Sequence, residues 1–101
     1  MQPINKNWNT PDGIHDGGVS TGIGFTIAWQ RGAVVGGSRN GAFSIEVLEA
    51  CLDQLRFHQS GKFACAENAD AIAHIEAALT ALNQRLERRH SEGILGQHQP
   101  D

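Results

Sequence analysis

The sequence predicts an α+β protein in which a small N-terminal antiparallel β-hairpin or sheet packs on a C-terminal antiparallel helix pair, with the chain forming a homo-oligomer. Nine of the twelve glycines precede Ser44 and a short run of alternating polarity lies among them, while two stretches with helical spacing follow. We interpret the chain as a single domain, 1–101, divided into a Gly-rich loop and β-hairpin (1–42), a first helix (43–59), a long second helix (66–92) and a tail (93–101).

The second predicted helix carries the clearest pattern in the chain. Its apolar residues recur at steps of three and four and form one continuous seam, at Ile72, Ile75, Leu79, Leu82 and Leu86. Asn68 and Arg89 extend this seam at either end, so the helix has an apolar middle and polar ends. Arg85 shares a face with Arg89 because residues four apart are neighbours on a helix.

The first predicted helix is shorter and presents one apolar face. That face consists of Ile45, Leu48, Leu52 and Leu55. Asn40 or Ser44 is expected to cap its start, and Ser60-Gly61 ends it. About six residues then connect it to the second helix, a spacing typical of an antiparallel pair. Gly93 is the expected end of the second helix.

The N-terminal part is predicted from its glycines, prolines and one alternating segment. Residues 1–22 are expected to form an extended, ordered loop around Trp8. Residues 25–30 alternate in polarity and predict a strand, and 33–35 a second short strand after a turn. The glycine-rich run 17–24 lacks the Gly-Lys-Ser/Thr ending of a phosphate loop, which favours a flexible turn entering the strand.

Composition excludes several classes of function. The formal net charge is −3 and no basic stripe runs along the chain, which argues against DNA or RNA as the main partner. Neither a signal peptide nor about 18 consecutive apolar residues is present, so we expect a cytoplasmic protein without membrane insertion. Cys51 and Cys65 are expected to be buried small hydrophobes. No nucleophile lies beside a base, which predicts a protein without catalysis. The five histidines show no ligand-like clustering, so neither a metal nor a cofactor is expected.

The two arginines at the end of the second helix are the first candidates for ligand binding. Guanidinium groups one turn apart can each fork onto phosphate oxygens, which predicts a diphosphate ligand for Arg85 and Arg89. The alternative is a solvated helix end whose arginines pair with Glu87 and Glu92 or with the last carbonyls. Asn68 likewise either caps its helix or faces the ligand.

Helix lengths favour a site shared between two copies of the chain. Asn68 and Arg85 are seventeen residues apart, about 25 Å along a helix, which is too far for one nucleotide-sized ligand. An antiparallel homodimer would place Asn68 of one subunit beside Arg85 and Arg89 of the other. Phe57 or His58, at the end of the first helix, can stack on a nucleobase; for Phe57 a core position is the favoured alternative.

Four motifs resemble the phage Thoeris anti-defence sponges of the first type. These motifs are GFTIAWQ, NGAF, KFACAENADAIAHIEAAL and an ending of the form R-x-x-x-R-x-x-x-G-I-x-G-x-H. The resemblance implies a non-enzymatic protein that acts in the host bacterial cytoplasm. It would sequester glycocyclic ADP-ribose, the signal made by host TIR enzymes, so that the Thoeris effector stays inactive. The ending is also similar to that of phage sponges that counter CBASS immunity.

The resemblance also implies roles for particular residues and an assembly. The family's ligand-contacting asparagine and two helix-end arginines correspond to Asn68, Arg85 and Arg89, and its stacking aromatic falls near Phe57 or His58. Some members assemble from dimers into hexamers, as trimers of dimers, and hold cyclic di- or trinucleotides at separate sites.

Two further groups of residues complete the predicted binding set. Arg39, which directly precedes NGAF, is included with the ligand-binding residues, and a second, cyclic-oligonucleotide site is expected at Gly96, Gln97 and His98. Gln97 replaces the threonine of the family pattern and Glu92 an often basic residue, which weakens the case for that second site. The competing interpretation is a helical-hairpin dimer that acts as a protein-protein interaction or regulatory module.

Overall fold

A computed structural model describes residues 2–34 and 36–91 of the chain. Three strands precede two helices, in the order β1 (Ile4–Asn9), β2 (His15–Gly22), β3 (Phe25–Trp29), α1 (Ser44–Gln59) and α2 (Ala66–Ser91). The α+β class is therefore confirmed. The described residues divide into two compact units, one that contains the strands and ends at Phe43, and one that begins at Ser44 and contains the helices.

The strands form one antiparallel sheet in the order β1-β2-β3. Strand β2 lies in the middle, and a tight turn at Ile23 and Gly24 joins it to β3. The prediction of a loop over residues 1–22 was wrong, because β1 and β2 fall within that range. The glycine-rich run was likewise misinterpreted over residues 17–22, which belong to β2. Polar residues and glycines concealed these strands because they give no alternating hydrophobic pattern.

A hydrogen-bonded chain of side chains connects all three strands. The Trp29 indole Nε1 donates to Ser20 Oγ at 2.7 Å, and Ser20 Oγ donates to Asn5 Oδ1 at 2.6 Å. Each strand contributes one of these residues. Ser20 is 7% exposed, so its bonds satisfy a hydroxyl that would otherwise be costly to bury.

The segment after β3 does not form the predicted second hairpin strand. Ala33 and Val34 are outside any strand, and Val35 is outside the described residues. Asn40 closes this segment, since its side chain accepts from the Arg31 N–H and donates to the Arg31 carbonyl, both at 2.8 Å. Of the two predicted capping candidates, Asn40 is therefore excluded, because its amide is used in this closure and α1 begins at Ser44.

The helices form a hairpin with little buried apolar surface. Among the described residues, Leu52 of α1 is the buried hydrophobic residue, at 6% exposed. The α2 residues on the predicted seam are half-buried, as are Ile45, Leu48 and Leu55 on the predicted face of α1. An exposed ion pair between Arg56 Nη2 and Glu76 Oε2, at 2.7 Å, joins the two helices.

Two predictions of burial in the helical unit were wrong. Cys51 and Cys65 are both exposed, and Phe57 is 73% exposed although a core position was favoured for it. Position explains the errors. Cys51 adjoins Leu52 but falls off the packed face, whereas Cys65 lies in the connection between the helices. Phe57 also points away from the half-buried face of α1.

Candidate ligand-binding site

Three aromatic rings gather where α1 turns into α2, and we call Phe57, His58 and Phe63 the turn cluster. The His58 ring centroid lies 6.2 Å from that of Phe57 and 6.1 Å from that of Phe63, with the rings tilted. Both phenyl rings are 73% exposed. The Gln54 amide Nε2 lies 3.0 Å from His58 Nε2, one helical turn before it. The cluster thus presents apolar aromatic surface to solvent.

The turn cluster borders an open cleft of about 270 Å³. The cleft is lined by Phe57, His58, Ser60, Gly61, Lys62 and Phe63. Aromatic walls with a few polar groups are typical of small-molecule sites, and Lys62 brings a positive charge to the rim. Phe57 and His58 were predicted from the sequence, whereas Lys62 and Phe63 were not, although both belong to the KFAC motif.

Asn68 begins α2 on the same side of the hairpin as the turn cluster. It is the third residue of the helix, after Cys65 in the capping position, and its N–H lies 3.4 Å from Cys65 Sγ. Its side-chain Nδ2 donates to the Phe63 carbonyl at 3.0 Å. Asn68 therefore stabilises the loop through a side-chain hydrogen bond and is not the capping residue itself.

The candidate arginines lie near the other end of α2. Arg85 is exposed, whereas Arg89 is only 4% exposed. Arg89 continues the seam of half-buried residues, as its sequence position predicted. Both arginines have interaction partners in the structure, which is expected for a buried guanidinium because an unpaired buried charge is very costly.

One chain does not bring all predicted site residues together. With 16 and 26 residues, α1 spans about 24 Å and α2 about 39 Å, so the end of α2 extends well beyond the length of α1. Asn68 and the turn cluster lie at the turn of the hairpin. Arg85 lies about 25 Å farther along α2, as the sequence predicted.

Arg39 lies in the strand-containing unit and stacks on an aromatic ring. Its guanidinium carbon is 4.3 Å from the Phe43 ring centroid, and its Nη2 donates to the Gly41 carbonyl at 2.9 Å. Such cation-aromatic contacts are stabilising. The predicted second site at Gly96, Gln97 and His98 lies outside the described residues, as does Glu92.

Neither a metal site nor a membrane-spanning helix is found in the part of the chain that the structure describes. There, no group of three or more His, Cys, Asp or Glu residues is placed to hold a metal ion. No helix in this part is long and apolar enough to cross a membrane.

These features define a small α+β protein whose distinctive part is a helical hairpin. The hairpin has an aromatic cluster at its turn and arginines near the end of its second helix. A family model described as "Acb2/Tad1, hairpin domain" matches residues 22–87, more than half of the chain. The chain therefore belongs to the Acb2/Tad1 hairpin-domain family, which confirms the resemblance seen in its motifs. The match includes the turn cluster, Asn68 and Arg85 and ends two residues before Arg89.

A phage protein is also similar to this chain, over most of the length of this chain. "Thoeris anti-defense 1" of Bacillus phage SBSphiJ7 is 34% identical over 74 residues, which cover 73% of this chain and 52% of that protein. The chain thus spans about half the length of the curated relative that it matches.

Proposed function

We propose that this protein is a phage anti-defence protein that binds and sequesters glycocyclic ADP-ribose, so that the Thoeris effector is not activated. The observation that carries the proposal is the arginine pair near the end of α2. Arg89 is almost fully buried beside exposed Arg85 in a chain of net charge −3. Paired guanidinium groups suit a diphosphate, and the relative's name supplies the anti-defence context.

The site is proposed to be composite, with residues from two subunits. An antiparallel dimer through the α2 seam would place Asn68 and the turn cluster of one subunit beside Arg85 and Arg89 of its partner. The seam supports this arrangement because its apolar residues, from Ile72 to Leu86, are only half-buried in a single chain. Such an interface would be isologous and would create two equivalent sites.

Sequestration sets a demanding affinity. To deprive an effector of its signal, the protein must bind with a nanomolar Kd, about −12 kcal/mol. Hydrogen bonds from charged groups contribute about 1.5–3 kcal/mol each, so two arginines supply only part of this. Stacking on the turn cluster and enclosure between subunits would supply the remainder. The ligand is released unchanged, because the protein acts by binding alone.

Calorimetry followed by heat release and mass spectrometry tests the proposal. Purified protein is titrated with glycocyclic ADP-ribose, and the complex is washed and heated before the released compound is identified. We expect nanomolar binding and recovery of the intact ligand. Recovery of a cleaved product would show an enzyme instead, and absence of binding would contradict sequestration.

The exposed phenyl rings of Phe57 and Phe63 favour a second candidate function, a helical-hairpin module that docks on another protein. Thermal shift with a nucleotide panel separates the two functions. A ligand at a hundred times its Kd stabilises a protein by about 2.7 kcal/mol. A shift with glycocyclic ADP-ribose supports the sponge, whereas no shift with ADP-ribose derivatives or cyclic di- and trinucleotides supports the docking module.

Assembly and the second ligand class belong to the same proposal. We expect a dimer as the basic unit, with a hexamer built as a trimer of dimers. Cyclic di- or trinucleotides would bind separately at the C-terminal residues Gly96, Gln97 and His98. Light scattering gives the mass of the assembly. Competition calorimetry shows whether a cyclic trinucleotide and glycocyclic ADP-ribose bind at the same time, as separate sites require.

A further inference from the structure

The loop between the helices holds an aromatic ring in solvent. Phe63 lies in this six-residue connection between Gln59 and Ala66 and is 73% exposed. Leaving a phenylalanine side chain exposed forgoes the favourable free energy of burying it. A loose loop would be free to turn the ring inward, so its exposure must follow from how the loop is held.

Side-chain amides fix the loop backbone on the C-terminal side of Phe63. Gln59 Nε2 donates to the Cys65 carbonyl at 2.9 Å, and the Cys65 N–H donates to Gln59 Oε1 at 3.0 Å. Asn68 Nδ2 donates to the carbonyl of Phe63 itself at 3.0 Å. Three hydrogen bonds between two helical residues and the loop therefore hold the backbone from which the ring projects. A ring ordered in advance loses less entropy when a ligand binds.

The cleft beside Phe63 has the chemistry of a nucleotide site. Its walls are the rings of the turn cluster, and Lys62, next to Phe63, brings a cation to the same cleft. Stacking on aromatic rings recognises the flat face of a base, and an adjacent ammonium group attracts phosphate. The lysine favours a phosphate-bearing ligand over an apolar protein segment, because an apolar segment offers no charged group for Lys62 to bind.

We propose that Phe63 and Lys62 form a subsite for the purine base of the sequestered nucleotide and the phosphate next to it. Gln59 and Asn68 are positioning residues that hold Phe63 outward for stacking. The inference rests on the proposed function and deepens it, because it assigns the stacking to Phe63 within the turn cluster and adds Lys62 as a new ligand contact. It also gives Asn68 a role that does not require it to touch the ligand.

Calorimetry with glycocyclic ADP-ribose tests the two contacts. We expect Phe63→Leu to raise Kd about tenfold or more, Phe63→Tyr to retain near wild-type affinity because the ring is kept, and Lys62→Gln to raise Kd about tenfold. Ile23→Ala is the matched control, since Ile23 is also an exposed hydrophobic residue, at 97%, and lies in the strand-containing unit.

Gln59→Leu tests the positioning role. We expect the variant to raise Kd about three- to tenfold and to speed amide exchange at Cys65, whose N–H loses its acceptor. In a Phe63→Leu background, Gln59→Leu should add little further loss, because it acts through that ring. Gln84→Leu is the control, since Gln84 is exposed and two positions after Leu82, on the opposite side of α2.

The outcomes separate this inference from the proposed function. Wild-type protein that does not bind glycocyclic ADP-ribose overturns both. Tight wild-type binding that survives Phe63→Leu and Gln59→Leu overturns the subsite alone. Additive losses in the double variant overturn the positioning role. A lower assembly mass for Phe63→Leu in light scattering also overturns the subsite, because the ring would then be a contact between copies.

Discussion

Arg85 and Arg89 are one helical turn apart but differ in environment, and this difference predicts different responses to substitution. Arg85 is exposed, so its replacement should leave the fold intact. We expect Arg85→Ala to weaken binding of glycocyclic ADP-ribose by about 1.5–3 kcal/mol, because a charge-assisted phosphate contact is lost. Arg88→Ala is the matched control, since Arg88 is also exposed but lies farther from the seam. Equal effects in calorimetry would contradict a specific phosphate contact.

Arg89 calls for a milder change because it is 4% exposed. Arg89→Lys keeps the positive charge but replaces a planar, two-pronged donor by a point charge. We expect about tenfold weaker binding with an unchanged far-ultraviolet circular dichroism spectrum. The same change at exposed Arg85 should have a smaller effect, since a lysine there can adjust its position. Wild-type affinity for Arg89→Lys would indicate that Arg89 serves the fold rather than the ligand.

At the level of elements, the middle strand depends on a glycine with no side chain. Gly18 has φ +153°, and a Cβ atom at this position would collide with the Lys6 carbonyl oxygen of β1. We expect Gly18→Ala to destabilise the sheet by about 1–3 kcal/mol, through strain and loss of close pairing. Gly61→Ala is the control, because a Cβ there meets no atom within 4 Å. Equal unfolding midpoints in thermal denaturation would contradict this account of β2.

The helices could be predicted from the sequence and two of the strands could not. Helical spacing of leucine and isoleucine is a strong signal because one face of each helix packs against the other. Strand β2 contains Gly17 and Gly18 and its neighbour β1 is exposed throughout, so neither shows alternation. Their pairing depends on backbone hydrogen bonds and on the Asn5-Ser20-Trp29 chain of side chains, which spacing along the sequence does not reveal.

The candidate site was predicted only where it lies on a helix face. Periodicity places Arg89 on the seam, but its near-complete burial, at 4% exposed, was not predicted. The contacts of Gln59 and Asn68 with Cys65 and Phe63 depend instead on how the connecting loop turns, which local sequence does not specify. The exposure of Phe57 was missed for a different reason, because phenylalanine side chains are usually buried.

At the scale of the whole molecule, the separation between the two ends of α2 determines how a site can be built. About 25 Å divides Asn68 from Arg85, and no bending of a continuous helix brings them together. A shared site therefore requires a second copy in the opposite direction. The half-buried seam provides a surface that this second copy can cover. Association would also bury apolar surface that the small core leaves exposed, since Leu52 is the buried hydrophobic residue among those described.

Mixed dimers test this arrangement directly. Asn68→Ala and Arg85→Ala should each bind glycocyclic ADP-ribose poorly when pure, since every site in either dimer lacks one required residue, either the positioning Asn68 or the phosphate-binding Arg85. When the two variants are unfolded together and refolded, random pairing makes about half of the dimers mixed, each with one intact and one doubly defective site. Tight binding should then return to about a quarter of all sites in calorimetry. A site contained within one chain predicts no recovery, because each chain keeps its own defect whatever its partner.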